Sequence, residues 1–453
     1  MIYAVKKRIV QLRQGKVPKG YKNCKNVVIP QTWIEVSLGE LGESKNGLNF
    51  SRDDEGYSIR VLGVGDFKDK TVMRSFEKLA KVSLVTDPTS DCLLQNGDIV
   101  FVRSNGSKEL VGRNLLVYPN DAKVSYSGFC IRYRMRDTKL TIPEYLNFIL
   151  DSGVLKKKLR KENQGSNINN LNQDILSELI VALPVDRNEQ NGILQVLKLQ
   201  DKVIELKEKR LAEKQRQKKY LMQQLLTGKK RLKGFNGEWR KEKLGKFFAE
   251  RSETECEHLE LLDITGMQGV IPRSHLSLKD NSSEDRSKYL RICVGDIGYN
   301  TMRMWQGVSA YSNYDGIVSP AYTILKSKGG INAKYFAYLF KLPEVVFLFY
   351  RYSQGLVDDT RNLKYENFKK ISVAYPEDIE EQNAIASVLE VADKEIELHR
   401  QDLEQEKQKK KALMQLLLTG IVRVPVKGDA VGKRLPAACE LGMKRQDAAS
   451  PRR

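Results

Sequence analysis

The chain has 453 residues, which is too long for a single hydrophobic core and suits two to four domains. Its six cysteines form no CxxC pair and it has only three histidines, so neither a disulfide framework nor a zinc site is expected. The net charge of +20 is uneven, with +8 over residues 1–25, +7 over 184–231 and only +1 over 26–183. Charge alone is therefore a weak argument for a nucleic-acid ligand.

The beginning of the chain is basic rather than apolar. It lacks the apolar stretch of a signal peptide, and no apolar run in the chain reaches the ~18 residues of a membrane span, so a cytoplasmic location is expected. Residues 1–25 carry eight basic and no acidic side chains. They precede the first globular segment much as KKRLKGFNGE precedes the second. We therefore predict that they continue a circular repeat, as the missing extension of the C-terminal helix.

Residues 26–183 are predicted to form the first of two mixed α/β domains, because β-branched and aromatic residues alternate there with Gly and Asn turns. In the run FCIRYRMR, a strand places Arg132, Arg134 and Arg136 on one face, which would suit a track of DNA phosphates. A basic cluster follows on a predicted helix and could add phosphate contacts, although a solvated surface explains it equally well. Its members are Lys156, Lys157, Lys158, Arg160 and Lys161.

A long internal repeat follows. Residues 170–228 recur at 362–420 without a gap, at an offset of 192, and 27 of the 59 positions are identical. A repeat this long indicates one structural unit used twice. Both copies contain apolar residues seven apart, which predicts two long helices, 184–231 and 376–424, each with a packing seam. The predicted seam consists of Ile193, Leu197, Ile204, Leu211, Leu221, Leu225, Ile385, Leu389, Ile396, Leu403, Leu413 and Leu417.

One such stripe alone would fit a single amphipathic helix or a homo-oligomeric coiled coil. Two equal seams in one chain favour an intramolecular antiparallel pair. The start signals of the two helices also match, with Asp186 and Asp378 placed to cap the first turn after a proline. Glu189 and Glu381 follow three residues on, as in a capping box. Both helices end at Thr-Gly, where glycine favours left-handed backbone.

The second globular segment, 232–375, differs from the first far more than the helices differ from each other. Shared landmarks are the Leu-Gly openings at Trp33 and Trp239 and a Gly-Asp-Ile run at 97–99 and 295–297. The expected fold is therefore α+β: two mixed α/β domains separated by two long antiparallel helices that form a coiled coil, with a pseudo-twofold internal repeat. Residues 425–453 lack periodicity and are predicted to be a disordered tail.

Motifs of catalysis are missing from the sequence. The phosphate loop GxxxxGK[ST] and the HExxH motif do not occur, and GVGDFK at Gly63 lacks the third glycine of a dinucleotide fingerprint. SPAY at Ser319 has one proline where the corresponding loop of amino-methyltransferases has two, and no glycine-rich cofactor motif accompanies it. We therefore predict that the chain is not an enzyme and itself binds neither a cofactor nor a metal.

Polar side chains able to read bases follow each Gly-Asp-Ile run. Arginine suits guanine and amides suit adenine, through paired hydrogen bonds. The two sets differ in composition, as two readers with different targets would, although an ordinary polar turn is an alternative for each residue. The first set is Arg103, Ser104, Asn105 and Arg113. The second set is Asn300, Arg303, Trp305, Gln306, Tyr311 and Tyr314.

Over about residues 16–424, the combination of these features resembles the DNA-specificity subunit of type I restriction-modification systems. The matching features are the domain-helix-domain-helix order, the EQN starts at Glu189 and Glu381, the LMQQLLTG and LMQLLLTG endings and the shared landmarks. The resemblance implies two target-recognition domains that each read half of a split double-stranded DNA sequence, held apart by antiparallel conserved helices.

The resemblance also implies a non-catalytic subunit that docks two modification subunits, which use S-adenosylmethionine to methylate adenine, and two restriction subunits, which use ATP and Mg²⁺. Two other functions stay open. A DNA methyltransferase with a degenerate cofactor site would bind S-adenosylmethionine as the isolated chain. A helical scaffold protein without a nucleic-acid role would show no change in DNA retention when alanine replaces the three arginines of FCIRYRMR.

Overall fold

The structure is a computed structural model that describes residues 2–24, 28–51, 53–68, 70–107, 109–153, 158–159, 170–266, 269–275 and 285–424. The chain divides into two compact units. The first unit is Met1–Glu205 with Gln405–Arg453, and the second unit is Leu206–Glu404. The predicted tail 425–453 lies outside the described residues.

Helices within the described part range from single turns to two long rods of the same length. Both dividing points between the units fall inside these two rods, so each unit contains a segment of each. The helices are α1 (Ile2–Arg13), α2 (Leu38–Leu41), α3 (Pro143–Asp151), α4 (Gln173–Ser177), α5 (Arg187–Leu225), α6 (Leu244–Phe247), α7 (Ala333–Leu339), α8 (Pro343–Tyr352), α9 (Tyr365–Phe368) and α10 (Ile379–Leu417).

The first unit is built on a five-stranded sheet of order β4-β11-β8-β9-β6, in which only the β6–β9 pairing is parallel. A three-stranded sheet, β10-β5-β7, lies in the same unit. The strands are β1 (Tyr21–Asn23), β2 (Val28–Pro30), β3 (Trp33–Ser37), β4 (Gly42–Asn46), β5 (Tyr57–Leu62), β6 (Val72–Met73), β7 (Lys81–Leu84), β8 (Ile99–Val102), β9 (Asn114–Val117), β10 (Val124–Tyr126), β11 (Cys130–Met135) and β12 (Ile180–Pro184).

The second unit has a smaller main sheet, with the antiparallel order β14-β21-β18-β19. Two-stranded sheets β15-β16 and β17-β20 accompany it. Its strands are β13 (Trp239–Lys243), β14 (Phe248–Arg251), β15 (Leu262–Thr265), β16 (Gly269–Pro272), β17 (Leu290–Ile292), β18 (Ile297–Asn300), β19 (Ser309–Tyr311), β20 (Gly316–Val318), β21 (Tyr322–Ser327) and β22 (Ser372–Pro376). The two units together confirm the α+β class.

Each unit has the same frame around the start of a long helix. The opening strand pairs antiparallel with the strand before the helix, so Trp33 lies opposite Pro184 on β3 and β12, and Trp239 lies opposite Pro376 on β13 and β22. The glycine that ends a long helix has left-handed backbone, with φ of 69° at Gly420 and 70° at Gly228, as the Thr-Gly endings predict. A Cβ on Gly420 would lie 3.3 Å from Trp33, and one on Gly228 would lie 3.1 Å from Trp239.

The long helices run antiparallel in each unit. Reciprocal ion pairs explain why Lys218 and Lys410 stand at positions where the seven-residue spacing would place an apolar seam residue. In the first unit, Lys410 lies 2.7 Å from Asp201. In the second unit, Lys218 lies 2.5 Å from Asp393. The offset of 192 relates both lysines and both aspartates, so one antiparallel contact is made twice. The interruption of the apolar stripe is therefore part of the pairing.

The predicted seam residues line these helix contacts, and removing such side chains from water stabilises the pair by about 1.5–3 kcal/mol each when burial is complete. In the first unit, Leu197 joins the same core cluster as Leu417. In the second unit, Leu225 joins the same cluster as Leu389. Eight seam residues are buried: Ile193, Leu197, Leu225, Ile385, Leu389, Ile396, Leu403 and Leu417. Four are half-buried: Ile204, Leu211, Leu221 and Leu413.

The helix starts differ from the sequence prediction in one respect. Asp186 and Asp378 cap the first turns, because their Oδ1 atoms accept the N–H of the residue two further on, at 2.8 and 2.9 Å. Glu189 and Glu381, predicted to complete capping boxes, turn into the core instead. Each is held there by an arginine that follows the end of the other long helix, a partner that a local sequence pattern does not reveal.

These two ion pairs bury a carboxylate. Glu381 is fully buried and accepts hydrogen bonds from Arg231, at 2.5 Å from Nε and 2.6 Å from Nη2. Glu189 accepts from Nε and Nη2 of Arg423, and from Trp33 Nε1 at 3.3 Å. The offset of 192 relates both glutamates and both arginines. Each pair therefore fastens one helix start to the segment that follows the other helix, within one unit.

Candidate nucleic-acid interface

The aspartate of each Gly-Asp-Ile run is a buried anchor for the strand that it opens. Asp98 accepts hydrogen bonds from Nε and Nη2 of Arg134, at 2.8 and 2.7 Å, and from the backbone N–H of Gln95 at 2.7 Å. In the second unit, Asp296 accepts from Nε of Arg251 at 2.8 Å and from an N–H three residues before it, also at 2.8 Å. Such bidentate pairs fix geometry strongly.

The arginine row of β11 is not the open phosphate track that the sequence predicts. Strand β11 lies inside the five-stranded sheet, between β4 and β8, and Arg132 is fully buried. Its Nη2 faces Glu43 at 3.5 Å and Asp91 at 3.7 Å. Arg134 is used by Asp98. Only Arg136 is exposed, and its Nη1 donates to the carbonyl oxygen of Gly39 at 3.0 Å.

A cleft of about 880 Å³ opens in the first unit where β8 ends. Ser104 and Asn105 from the predicted reading set line it, together with Asn170 and two aromatic side chains. The aromatic side chains are Phe129, with 64% of its surface exposed, and Phe50, with 38% exposed. Exposed rings beside hydrogen-bonding groups are suited to nucleobases, which offer both a π-face and polar edges.

Arg103 and Asn105 of the first set make structural hydrogen bonds, and Arg113 lies away from the cleft. Arg103 Nη1 donates to the carbonyl oxygen of Gly128 at 3.3 Å, and Asn105 Oδ1 accepts the backbone N–H of Ser107 at 2.8 Å. Arg113 is half-buried and is not among the residues that line the cleft. Of the predicted basic cluster, Lys158 is described, and its Nζ donates to the carbonyl oxygen of Ile175 and to Glu178, each at 3.2 Å. The other members, Lys156, Lys157, Arg160 and Lys161, lie outside the described residues.

A second, smaller cleft of about 380 Å³ lies at the matching place of the second unit. There the repeated Asn-Leu pair marks the register: the N–H of Leu171 donates to the carbonyl of Arg103 at 2.9 Å, and the N–H of Leu363 donates to that of Thr301 at 2.8 Å. Thr301 and Asn362 line the second cleft, as Asn170 lines the first. The two clefts share the repeated asparagine, and the rest of their lining differs.

Residues of the second reading set are divided between the two ends of the β18–β19 hairpin, and none of them lines the second cleft. Asn300 ends β18 and Arg303, Trp305 and Gln306 lie in the turn that follows it, whereas Tyr311 lies opposite Ile297 at the other end and Tyr314 follows it. Arg303 and Gln306 are exposed, and Tyr314 is partly so, whereas Asn300 and Tyr311 are half-buried. Trp305 Nε1 donates to the carbonyl of Met302 at 2.9 Å, which stabilises the turn. Lys341 also stabilises the turn, because its Nζ donates to the carbonyls of Gly307 and Ser309. Burial, with Lys218 nearby, lowers the pKa of Lys341 to about 8.

The structure adds an aromatic patch that the sequence did not reveal. The rings of Trp305 and Tyr350 have centroids 6.2 Å apart, and Tyr350 stacks on Phe347 at 6.5 Å. The guanidinium carbon of Arg361 lies 4.0 Å from the centre of the Tyr350 ring. Phe347 and Tyr350 belong to α8, and no sequence motif marks either of them. The exposed fractions of these two side chains, 58% and 37%, could not be read from the sequence.

Within the described residues, no three His, Cys, Asp or Glu side chains are grouped closely enough to hold a metal ion. The helices described there include none that is both long and apolar enough to cross a membrane. These findings concern the described part of the chain alone.

Comparisons with known proteins point in one direction. The family model "Type I restriction modification DNA specificity domain" matches residues 30–216. The StySPI specificity subunit of a type I restriction enzyme from Salmonella potsdam is 31% identical over 157 residues, which is 34% of this chain. The chain spans only 33% of the length of that relative.

Longer matches are more distant. A putative type I restriction enzyme specificity subunit, MjaX, from Methanocaldococcus jannaschii is 25% identical over 453 residues, 92% of this chain and 100% of that protein. A chain from a solved structure on complex assembly and conformational transition of the type I R-M system aligns with a TM-score of 0.57 at 15% identity. The alignment covers 87% of this chain and 99% of that one, and it supports the fold.

Proposed function

We propose that this chain, which belongs to the family of DNA-specificity subunits of type I restriction-modification systems, recognises a bipartite, asymmetric sequence in double-stranded DNA. Each unit reads one half of the site. One observation carries the proposal: a duplicated frame holds two clefts at the same register, and the clefts have different linings. Equal frames with unequal clefts suit two readers that share their geometry and differ in their targets.

The chain acts in this proposal by binding and positioning, without carrying out a reaction itself. S-adenosylmethionine belongs to the modification subunits, and ATP and Mg²⁺ belong to the restriction subunits. Four buried carboxylates support a role in binding and positioning, because each is held by an arginine in a structural ion pair. They are the two Gly-Asp-Ile aspartates, Glu189 and Glu381.

The function is tested by selecting DNA from a random library with the full chain assembled with its modification subunits. We expect two short, unlike sequence segments at a fixed separation, with unread base pairs between them. A selection that returns no sequence preference, or one continuous segment, would overturn the proposal. Binding of S-adenosylmethionine by the isolated chain, measured by calorimetry, would instead favour a methyltransferase.

We further propose that the long helices dock the two modification subunits. Val391 and Leu398 are seven residues apart on α10 and expose 62% and 65% of their surface. Their counterparts at the offset of 192, Leu199 and Leu206 on α5, expose 67% and 54%. Residues seven apart share a helix face, and exposed apolar side chains on such a face suit a partner helix. One pattern at two equivalent places suits two copies of one subunit.

Replacing Val391 and Leu398 together by aspartate should therefore release one modification subunit, because two charges would be buried in the apolar contact. The measurement is the subunit stoichiometry by analytical ultracentrifugation, with an expected change from two copies to one. Isoleucine at position 391 together with methionine at position 398 keeps the face apolar, so this pair of substitutions is the matched control and should leave two copies bound. Full assembly of the first variant would contradict the docking proposal.

A further inference from the structure

The N-terminal segment forms a cationic surface, and most of its charged side chains have no ion-pair partner among the residues that the structure describes. Residues 2–24 carry seven basic and no acidic side chains. Five of the basic residues are exposed, and the side chains of these five take part in no ion pair or hydrogen bond within the described part of the chain. They are Lys6, Lys7 and Arg13 in α1 and Lys16 and Lys19 just after it, and we call all five the α1 cations.

This segment is firmly attached to the first unit. Arg8 Nη1 donates to the carbonyl oxygen of Ile421 at 2.5 Å and to the Tyr21 hydroxyl at 2.9 Å. The Tyr21 hydroxyl in turn donates to the carbonyl of Gly420 at 2.7 Å, and Val5 is buried. Both carbonyls lie just past the end of α10 at Leu417, where a cation is favoured by the helix dipole. Arg8 and Tyr21 thus account for the attachment.

The α1 cations are not needed for that attachment, and the repeat offers no counterpart to α1. In the second unit the chain passes from Gly228 to Trp239 through ten residues without a described helix. The first unit has the same frame and carries α1 in addition. Five exposed cations over fourteen residues raise the local positive potential and repel one another, so they suit an anionic ligand.

We propose that the α1 cations bind the phosphate backbone of double-stranded DNA beside the sequence read by the first unit. This inference rests on the proposed function. Phosphate contacts from lysine and arginine supply affinity and carry no sequence information. An acidic protein surface is the competing ligand, and α1 does expose Tyr3 and Val10. DNA is favoured because lysine is depleted at protein interfaces and four of the five cations are lysines.

The test uses the full chain assembled with its modification subunits, with glutamine at all five α1 cations. Affinity for DNA with the selected sequence and for unrelated DNA is measured by fluorescence anisotropy over a range of salt concentrations. Each lost phosphate contact should reduce the slope of log K against log salt by about 0.9. We expect weaker binding to both DNAs and an unchanged ratio between them. A charge-preserving control exchanges lysine and arginine at the same five positions and should keep the parent slope.

Three results would overturn the inference: an unchanged slope, a changed ratio between the two DNAs, or a loss of subunit assembly with DNA binding intact. The last result would identify an acidic protein as the ligand. Failure of the proposed function is distinguishable, because the parent complex itself would then show no sequence preference. The Tm of each variant shows whether the five surface changes leave the fold intact.

Discussion

Replacing Arg231 by methionine should lower the free energy of unfolding by about 3–5 kcal/mol, the usual cost of leaving a buried charge without its partner. The carboxylate of Glu381 is fully buried, and both of its hydrogen bonds from Arg231 would be lost. Methionine fills a similar volume, so the effect is electrostatic rather than a cavity effect. Urea denaturation of the full chain measures the change.

The opposite substitution should be milder. In Glu381→Gln the group left unpaired is Arg231, whose side chain is 26% exposed and which keeps a hydrogen bond to the carbonyl of Gly237 at 3.0 Å. Arg423→Met should also cost less than Arg231→Met, because Glu189 keeps the hydrogen bond from Trp33 Nε1. Equal losses in these three variants would show that burial of the carboxylate does not set the cost.

The sequence predicts the parts of this fold that depend on repetition and periodicity. An offset of 192 without gaps identified both long helices, their caps and the glycines that end them. The same offset identified the Glu-Gln-Asn runs at the start of both helices. It could not show that Glu189 and Glu381 pair with arginines far along the chain, because a capping box and a buried ion pair place glutamate at the same position.

The candidate interface was predicted less well, for a related reason. Alternation in FCIRYRMR correctly indicates a strand, but alternation does not distinguish a central strand from an edge strand. Strand β11 is central, so Arg132 is buried. The turns after each Gly-Asp-Ile run follow strands β8 and β18, and their role in reading bases stays a prediction. Their aromatic neighbours Phe129 and Tyr350 escaped notice because an exposed ring and a core ring look alike in a sequence.

The two units should respond independently when their reading turns are altered. Arg303→Ala should weaken discrimination at one half-site by about 10- to 100-fold, since a bidentate contact between arginine and guanine is worth about 1–3 kcal/mol. Arg303 is exposed on the turn of the second unit. Asn105→Ala should do the same at the other half-site, because Asn105 lines the cleft of the first unit. Binding to DNA libraries randomised in one half at a time measures both effects.

Conservative variants separate base contact from turn stability. Asn105→Asp keeps an oxygen that can accept the Ser107 N–H but removes the amide donor, so a base contact is lost while the turn is kept. Arg303→Lys keeps the charge and loses the planar fork, so affinity for unrelated DNA should persist while discrimination falls. If either variant altered both half-sites equally, the two units would act as one reader. Each half-site is thus the internal control for the other.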